Sequence, residues 1–295
     1  MKKIIIMILV STLIVSSLFA FGTKEDALGA KRPTIVVSIL PQQFVVDYIA
    51  GDFVDTITLV GPGQNPHSYE PTPKQMAQLS QADAWIVSNT DFERSLVDKI
   101  KTMYPNLLIV DGTEGVEFRL LEEHDHAGEI HHQELDKHTW LGRTPMKILA
   151  QHTLTTLQKI DPEHSSFYLT QAQMFVDTVD TLFNSLIEEL APLRGTTAFV
   201  YHPSFGYLFD ELGIKQEAVE TGGKEPTAKA LSTLIEKGQQ EKVSALFVQA
   251  QFPTSSAHNV AQAIGAEVLP LDPLAYDWFE NISLMGETLK KGLKY

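Results

Sequence analysis

The stretch PEHSSFYLTQAQMFVDTVDTLFNSLIEELAPL, residues 162–193, holds no strand-like run, yet it separates two regions that are full of them. Within it Tyr168, Ala172, Phe175, Val176, Val179, Leu182, Phe183, Leu186, Ile187 and Leu190 recur at steps of three and four, the pattern of an amphipathic helix. Asp161 is placed to cap it, Pro162 suits its first turn, and Pro192 with Gly195 closes it. At 1.5 Å per residue such a helix is a rod of about 45 Å, the scale of a small domain's diameter.

On either side, apolar runs alternate with helical periodicity, as in a parallel α/β sheet. The first region offers strands at Thr34–Ile39, Thr56–Val60, Ala84–Ser88 and Leu107–Asp111, with helices starting near Pro41, Pro73 and Asp91. The second offers Thr197–Tyr201, Ile214–Val219, Ala245–Val248 and Glu267–Leu271, with helices starting near Pro203, Pro226 and Thr254. The expected fold is therefore α/β with two lobes, each carrying a roughly four-stranded parallel sheet, joined by one long rigid helix. The lobes are assigned to residues 33–161 and 194–295, and the linking helix to 162–193.

Of 295 residues, 43% are apolar and 20% charged, a globular composition. The net charge of -14 argues against nucleic acid and anionic membrane as partners and suits a cationic ligand. With no cysteine, there is no disulfide, thiolate zinc site or iron–sulfur cluster, so any metal must be held by His, Asp, Glu or backbone oxygen. Lys2 and Lys3, the apolar run Ile4–Val15 and the small Ala20 read as a secretory signal peptide over residues 1–20. Position 21 is Phe, where a bacterial lipid anchor needs a thiol.

Ligands of open parallel sheets bind beyond the carboxyl ends of the strands. Four ionisable residues fall there: His67 after the second strand, His138 after the fourth, His202 after the first strand of the second half, and Asp272 after the last. Two come from each lobe, so all four can converge on one cleft. Three neutral imidazoles and a carboxylate form a closed tetrahedral shell suited to Zn²⁺, and a closed shell favours holding a metal over using it catalytically. His152, His164 and His258 lie on or beside helical stretches and are read as structural or exposed. Residues 122–134 pack His124, His126, His131 and His132 among five acids. That tract reads as a mobile loop, either a solvated acidic connection or a low-affinity metal collector.

Five motifs carry a resemblance to a known family. They are Asn65-Pro66-His67-Ser68-Tyr69-Glu70-Pro71-Thr72-Pro73, Asp136-Lys137-His138-Thr139-Trp140, His202-Pro203-Ser204-Phe205-Gly206-Tyr207-Leu208, Gly223-Lys224-Glu225-Pro226-Thr227-Ala228 and Leu271-Asp272-Pro273-Leu274. From about Pro33 to the C-terminus the chain resembles the metal-binding solute-binding proteins of ABC transporters, specifically the periplasmic zinc-binding members. The resemblance implies metal held between two lobes by His67, His138 and His202, with Asp272 as fourth donor or nearby partner. It also implies a carrier that delivers Zn²⁺ to a membrane permease; the absent thiol at position 21 adds the expectation of an unanchored periplasmic protein, and a monomer is expected. No Gly-rich Lys-Ser/Thr phosphate loop is present, so no nucleotide is expected. His at position 202, where manganese binders carry a carboxylate, leans towards zinc. Asn65 and Gln249 depart from the acids frequent at those positions. The competing readings are a manganese- or iron-binding member of the family, a metal-dependent adhesin, and a zinc hydrolase using Glu70 or Glu225 as base. No His-Glu-x-x-His motif supports the hydrolase, and the chain is expected not to be an enzyme.

Overall fold

A computed structural model describes residues 31–121, 134–220, 227–252 and 254–294. The expected signal peptide and the His-rich tract at 122–133 lie outside the described residues. From Arg32 onward the chain forms one compact unit. Strands β1 (Thr34–Val37), β2 (Asp55–Thr58), β3 (Ala84–Val87) and β4 (Leu108–Asp111) form a sheet in the order β2-β1-β3-β4. Strands β5 (Thr197–Val200), β6 (Lys215–Ala218), β7 (Ala245–Val248) and β8 (Glu267–Pro270) form a second sheet in the order β6-β5-β7-β8. Every pairing is parallel, and the two orders are the same order repeated. The inner strands are the most apolar: β3 reads AWIV and β7 reads ALFV, each buried throughout. Strands covered on both faces need such runs.

Strands β4 and β7 end where expected, and the other six end one or two residues before the expected runs do. Leu59 and Val60 lie beyond β2 yet still donate to Val37 and Ser38 across the sheet (3.0 Å each). Apolar sequence therefore marks burial of the strand end rather than the last rung of the ladder.

Helices α1 (Leu40–Ala50), α2 (Pro73–Leu79) and α3 (Asp91–Met103) belong to the first half, and α4 (Arg143–Ile160) follows it. The central helix α5 runs Ser165–Glu189, shorter than the expected span, because Pro162 and Pro192 each sit in a separate 3₁₀ turn. Its 25 residues make about 37 Å. Asp161 does not cap its backbone; its carboxylate instead takes His164 Nδ1 (2.7 Å) and the Tyr168 hydroxyl. The buried stripe Tyr168, Ala172, Phe175, Val179, Phe183, Leu186 follows the expected one.

The second half adds α6 (Gly206–Leu212), α7 (Ala228–Gln240), α8 (Thr254–Ile264) and α9 (Trp278–Gly292). Helix α5 packs against α4 and α1 on one side and α6 and α9 on the other. Gly286 of α9 approaches it so closely that a Cβ there would lie 2.6 Å from Leu186 Cδ2. One apolar body consequently runs through both halves, from Trp85 by way of Phe175 and Phe183 to Phe247 and Trp278. A smaller one, including Phe199, Leu234, Leu246 and Val260, lies between the second sheet and α7 and α8. Among the described residues, no helix is long and apolar enough to cross a membrane.

Candidate metal centre

The cleft at the strand ends is lined by His67, His138 and His202 together with Lys137, Trp140 and Phe252, among others. Its inner space is about 30 Å³, room for an ion or a water.

His67 sits in the loop after β2, where its backbone N–H donates to Asn65 Oδ1 (2.9 Å). This turn is one in which Asn serves as well as Asp. His67 Nδ1 lies 2.9 Å from Asp91 Oδ2, and the other oxygen of Asp91 takes Lys137 Nζ (2.5 Å). The hydrogen bond to His67, then the Lys137 ammonium, hold the Asp91 carboxyl well below its usual range against the opposing effect of burial. Asp91 is aimed by the start of α3. Asn89 adopts a left-handed conformation (φ 62°), and the buried Glu93 carboxylate accepts from Ser88 N (2.9 Å) and Thr90 N (2.7 Å). Burial pushes the Glu93 carboxyl up, and those hydrogen bonds oppose the push.

His138 stands at the entrance to a 3₁₀ turn, Thr139–Leu141. Oδ1 of the fully buried Asp136 accepts both its backbone N–H (2.9 Å) and its Nδ1 (2.8 Å). Burial raises the Asp136 carboxyl, but the bonds from His138 and Arg119 outweigh it and the net shift is downward. His202 directly follows β5, and its Nδ1 lies 2.8 Å from Glu220 Oε2. Gln249, fully buried, donates to the His202 carbonyl (2.7 Å) and to Ser204 Oγ (2.8 Å), while Phe252 stacks on the imidazole at 4.7 Å. Burial first, then the neighbouring His138 and His67, press the His202 pKa well below the usual imidazole value.

Each imidazole therefore gives its Nδ1–H to a carboxylate, which leaves Nε2 as a lone-pair donor. The three Nε2 atoms face one another: 3.1 Å from His67 to His202 and 3.3 Å from His202 to His138. Three lone pairs without a proton between them repel unless a cation sits at their centre. Tetrahedral ligands at zinc–nitrogen distances of 2.0–2.1 Å lie about 3.3 Å apart, so the spacing fits.

Among the described residues, this trio is the group of His, Asp and Glu side chains close enough to share an ion. Asp272 falls outside it: its Oδ1 accepts from Gln251 Nε2 (2.8 Å) and Leu274 N (3.0 Å). Three of the four expected donors thus converge. His152 bonds the Glu114 carbonyl, and His164 bonds Asp161, away from the cleft. His124, His126, His131 and His132 lie outside the described residues. Asp91, Asp136 and Glu220 were not anticipated, although Glu220 follows the end of β6 as the strand-end rule requires.

Two similar α/β lobes with three convergent, carboxylate-backed imidazoles define a metal-binding protein of the two-lobed class. Residues 35–292 match the family described as zinc-uptake complex component A, periplasmic (ZnuA), and the chain belongs to that family. It is 27% identical over 307 residues to the zinc-binding lipoprotein AdcA of Streptococcus pneumoniae, covering all of this chain but 58% of that protein. The crystal structure of ZnuA superposes with a TM-score of 0.81 at 32% identity, covering 89% of this chain and 99% of the other. A zinc-bound 138-173 deletion mutant of ZnuA gives 0.81 at 31% identity, covering 89% and 98%.

Proposed function

We propose that this chain captures Zn²⁺ outside the cytoplasm and delivers it to the membrane permease of an ABC transporter. The observation that carries this reading is the convergence of the Nε2 atoms of His67, His138 and His202, each with its Nδ1 on a carboxylate. Neutral imidazole suits zinc better than manganese, which prefers hard oxygen donors and more of them. The metal is cargo here, so the chain works as a receptor and not as an enzyme. Asp272 is assigned as the fourth donor or a close partner of the loaded site, since the loop that carries it lines the cleft through Pro273 and Leu274. The reading also takes residues 1–20 as a signal peptide, the carrier as an unanchored periplasmic monomer, and the tract at 122–134 as an auxiliary metal-binding loop.

Competition among zinc, manganese and iron for the purified chain, followed by elemental analysis, tests the proposal. Retention of one tightly held zinc, lost on His202→Ala, is the expected result. Preferential retention of manganese, or unchanged zinc affinity in that variant, refutes it.

A further inference from the structure

Among the side chains that tie the segment carrying His138 to the second half of the molecule, one also reaches the carboxylate behind that histidine. Arg119 and Asp136 face each other in a short antiparallel ribbon: Asp136 N donates to the Arg119 carbonyl (2.9 Å), and Leu120 pairs with Leu135. From that ribbon the Arg119 guanidinium divides its donors. Nη1 donates to Asp136 Oδ2 (2.9 Å), the oxygen that His138 leaves free, and Nε donates to Asp210 Oδ2 on α6 (2.9 Å). Asp136 is fully buried and Arg119 is 17% exposed, whereas Asp210 is 60% exposed. The Tyr207 hydroxyl, also on α6, donates to the Asp136 carbonyl (3.0 Å) and accepts from Arg119 N (3.2 Å).

Gly206 shows that this arrangement is built for the guanidinium. Its φ lies outside the left-handed region, so its backbone makes no demand for glycine; the space does. A Cβ there would stand 1.6 Å from Arg119 Nη1 and 2.2 Å from Cζ. The guanidinium lies directly on the first residue of α6, four positions beyond His202.

We propose that Arg119 is a positioning residue for the metal centre. It fixes the Asp136 carboxylate that orients His138, and it locks that assembly to the helix following His202, so two ligands from opposite halves keep a set spacing before any ion arrives. A planar fork serves two carboxylates at once, which the point charge of lysine does not. Without it, the Asp136 carboxylate keeps only its two bonds from His138 and is free to rotate with the ring.

This inference rests on the reading of His138 as a zinc ligand. The test uses the full chain with Arg119→Met, Arg119→Lys, Gly206→Ala and the Met/Ala double variant. Zinc affinity is read by competition with a chromophoric chelator, ligand geometry by the visible bands of the Co²⁺ complex, and the metal-free fold by urea midpoint. Loss of an orienting partner costs about 10- to 100-fold in metal affinity, and Arg119→Met is expected in that range with altered Co²⁺ bands. Gly206→Ala, whose Cβ would displace the guanidinium and also meet Asp136 Oδ2 at 2.8 Å, should do the same, and the double variant should be no weaker than either single one. Arg119→Lys should recover part of the affinity.

Zinc affinity within about twofold of the wild type in both Arg119→Met and Gly206→Ala, or effects that simply add in the double variant, overturns the proposal. If Arg119→Met does not fold, Gly206→Ala and Arg119→Lys decide by the same criteria. A wild-type chain that binds no zinc refutes the function itself; a wild type that binds while every variant binds equally refutes only the role of Arg119.

Discussion

Replacing Glu220 tests how much of the zinc affinity depends on the partner behind the ligand. The Glu220 and His202 side chains are 3% and 4% exposed and lie 2.8 Å apart, so water cannot take over a lost bond. A hydrogen bond to a charged group is worth about 1.5–3 kcal/mol, which corresponds to the 10- to 100-fold loss typical when a metal ligand's partner is removed. Glu220→Gln keeps an acceptor oxygen and loses only the charge, so a roughly tenfold loss is expected. Glu220→Ala loses both and should approach a hundredfold. Asp91 provides the internal control, because its side chain is 44% exposed and solvent can replace it behind His67. Asp91→Asn should therefore cost less than Glu220→Gln. Chelator competition on the purified chain measures all three variants, with urea unfolding of the metal-free forms run alongside. Wild-type zinc affinity in Glu220→Ala, or a larger loss in Asp91→Asn, would show that burial of the partner does not govern the site.

Glu93→Gln offers one acceptor where two backbone N–H groups now have one each. A loss of about 1–3 kcal/mol in the urea midpoint and a secondary weakening of zinc through Asp91 are expected. Phe183→Ala, on the buried stripe of α5, should cost about 3–5 kcal/mol of unfolding free energy while the folded fraction keeps its zinc affinity. An equal fall in affinity would contradict the separation of core from site. The metal-free protein should lose stability as pH falls below about 6.5. The unfolded chain takes a proton on residue 202 that the folded imidazole refuses, so this contribution is complete above that pH. His202→Asn should flatten the acid limb of a plot of urea midpoint against pH.

The sheets were readable because β3 and β7 are wholly apolar and β1 and β5 are apolar after one leading threonine, as inner strands covered on both faces must be. The clustering of the imidazoles was partly readable: His202 directly follows β5 and His67 lies in the loop after β2, whereas His138 stands far beyond β4, at a 3₁₀ turn. Helix α9 was not foreseen, and α4 entered only as an unbounded helical stretch at His152. The buried face of α4 includes Thr153 and Thr156, and that of α9 includes Asn281, Gly286 and Gly292. Those glycines allow close approach: a Cβ at 292 would lie 2.6 Å from the Phe247 ring. The apolar positions nevertheless keep steps of three and four, Met146, Ala150, Leu154 and Leu157 in α4 and Trp278, Ile282, Met285 and Leu289 in α9, so both helices were legible in the sequence. The carboxylates behind the imidazoles, by contrast, were not. Asp91 is 24 residues from His67 and Glu220 is 18 from His202, so only the folded chain makes them partners. Asp272 illustrates the reverse limit. A strand end delivers a residue to the cleft, but its neighbours decide what its oxygens bind.

The apolar body that runs unbroken through both halves spreads the effect of an ion beyond the cleft. A cation present at a hundredfold its dissociation constant adds about 2.7 kcal/mol against unfolding, and with a shared interior that increment protects every element the interior supports. Proteases, which cut opened chains, should therefore degrade the metal-free chain at sites far from the histidines and spare the metal-bound one. Turnover of the protein would then report metal supply without any dedicated sensor.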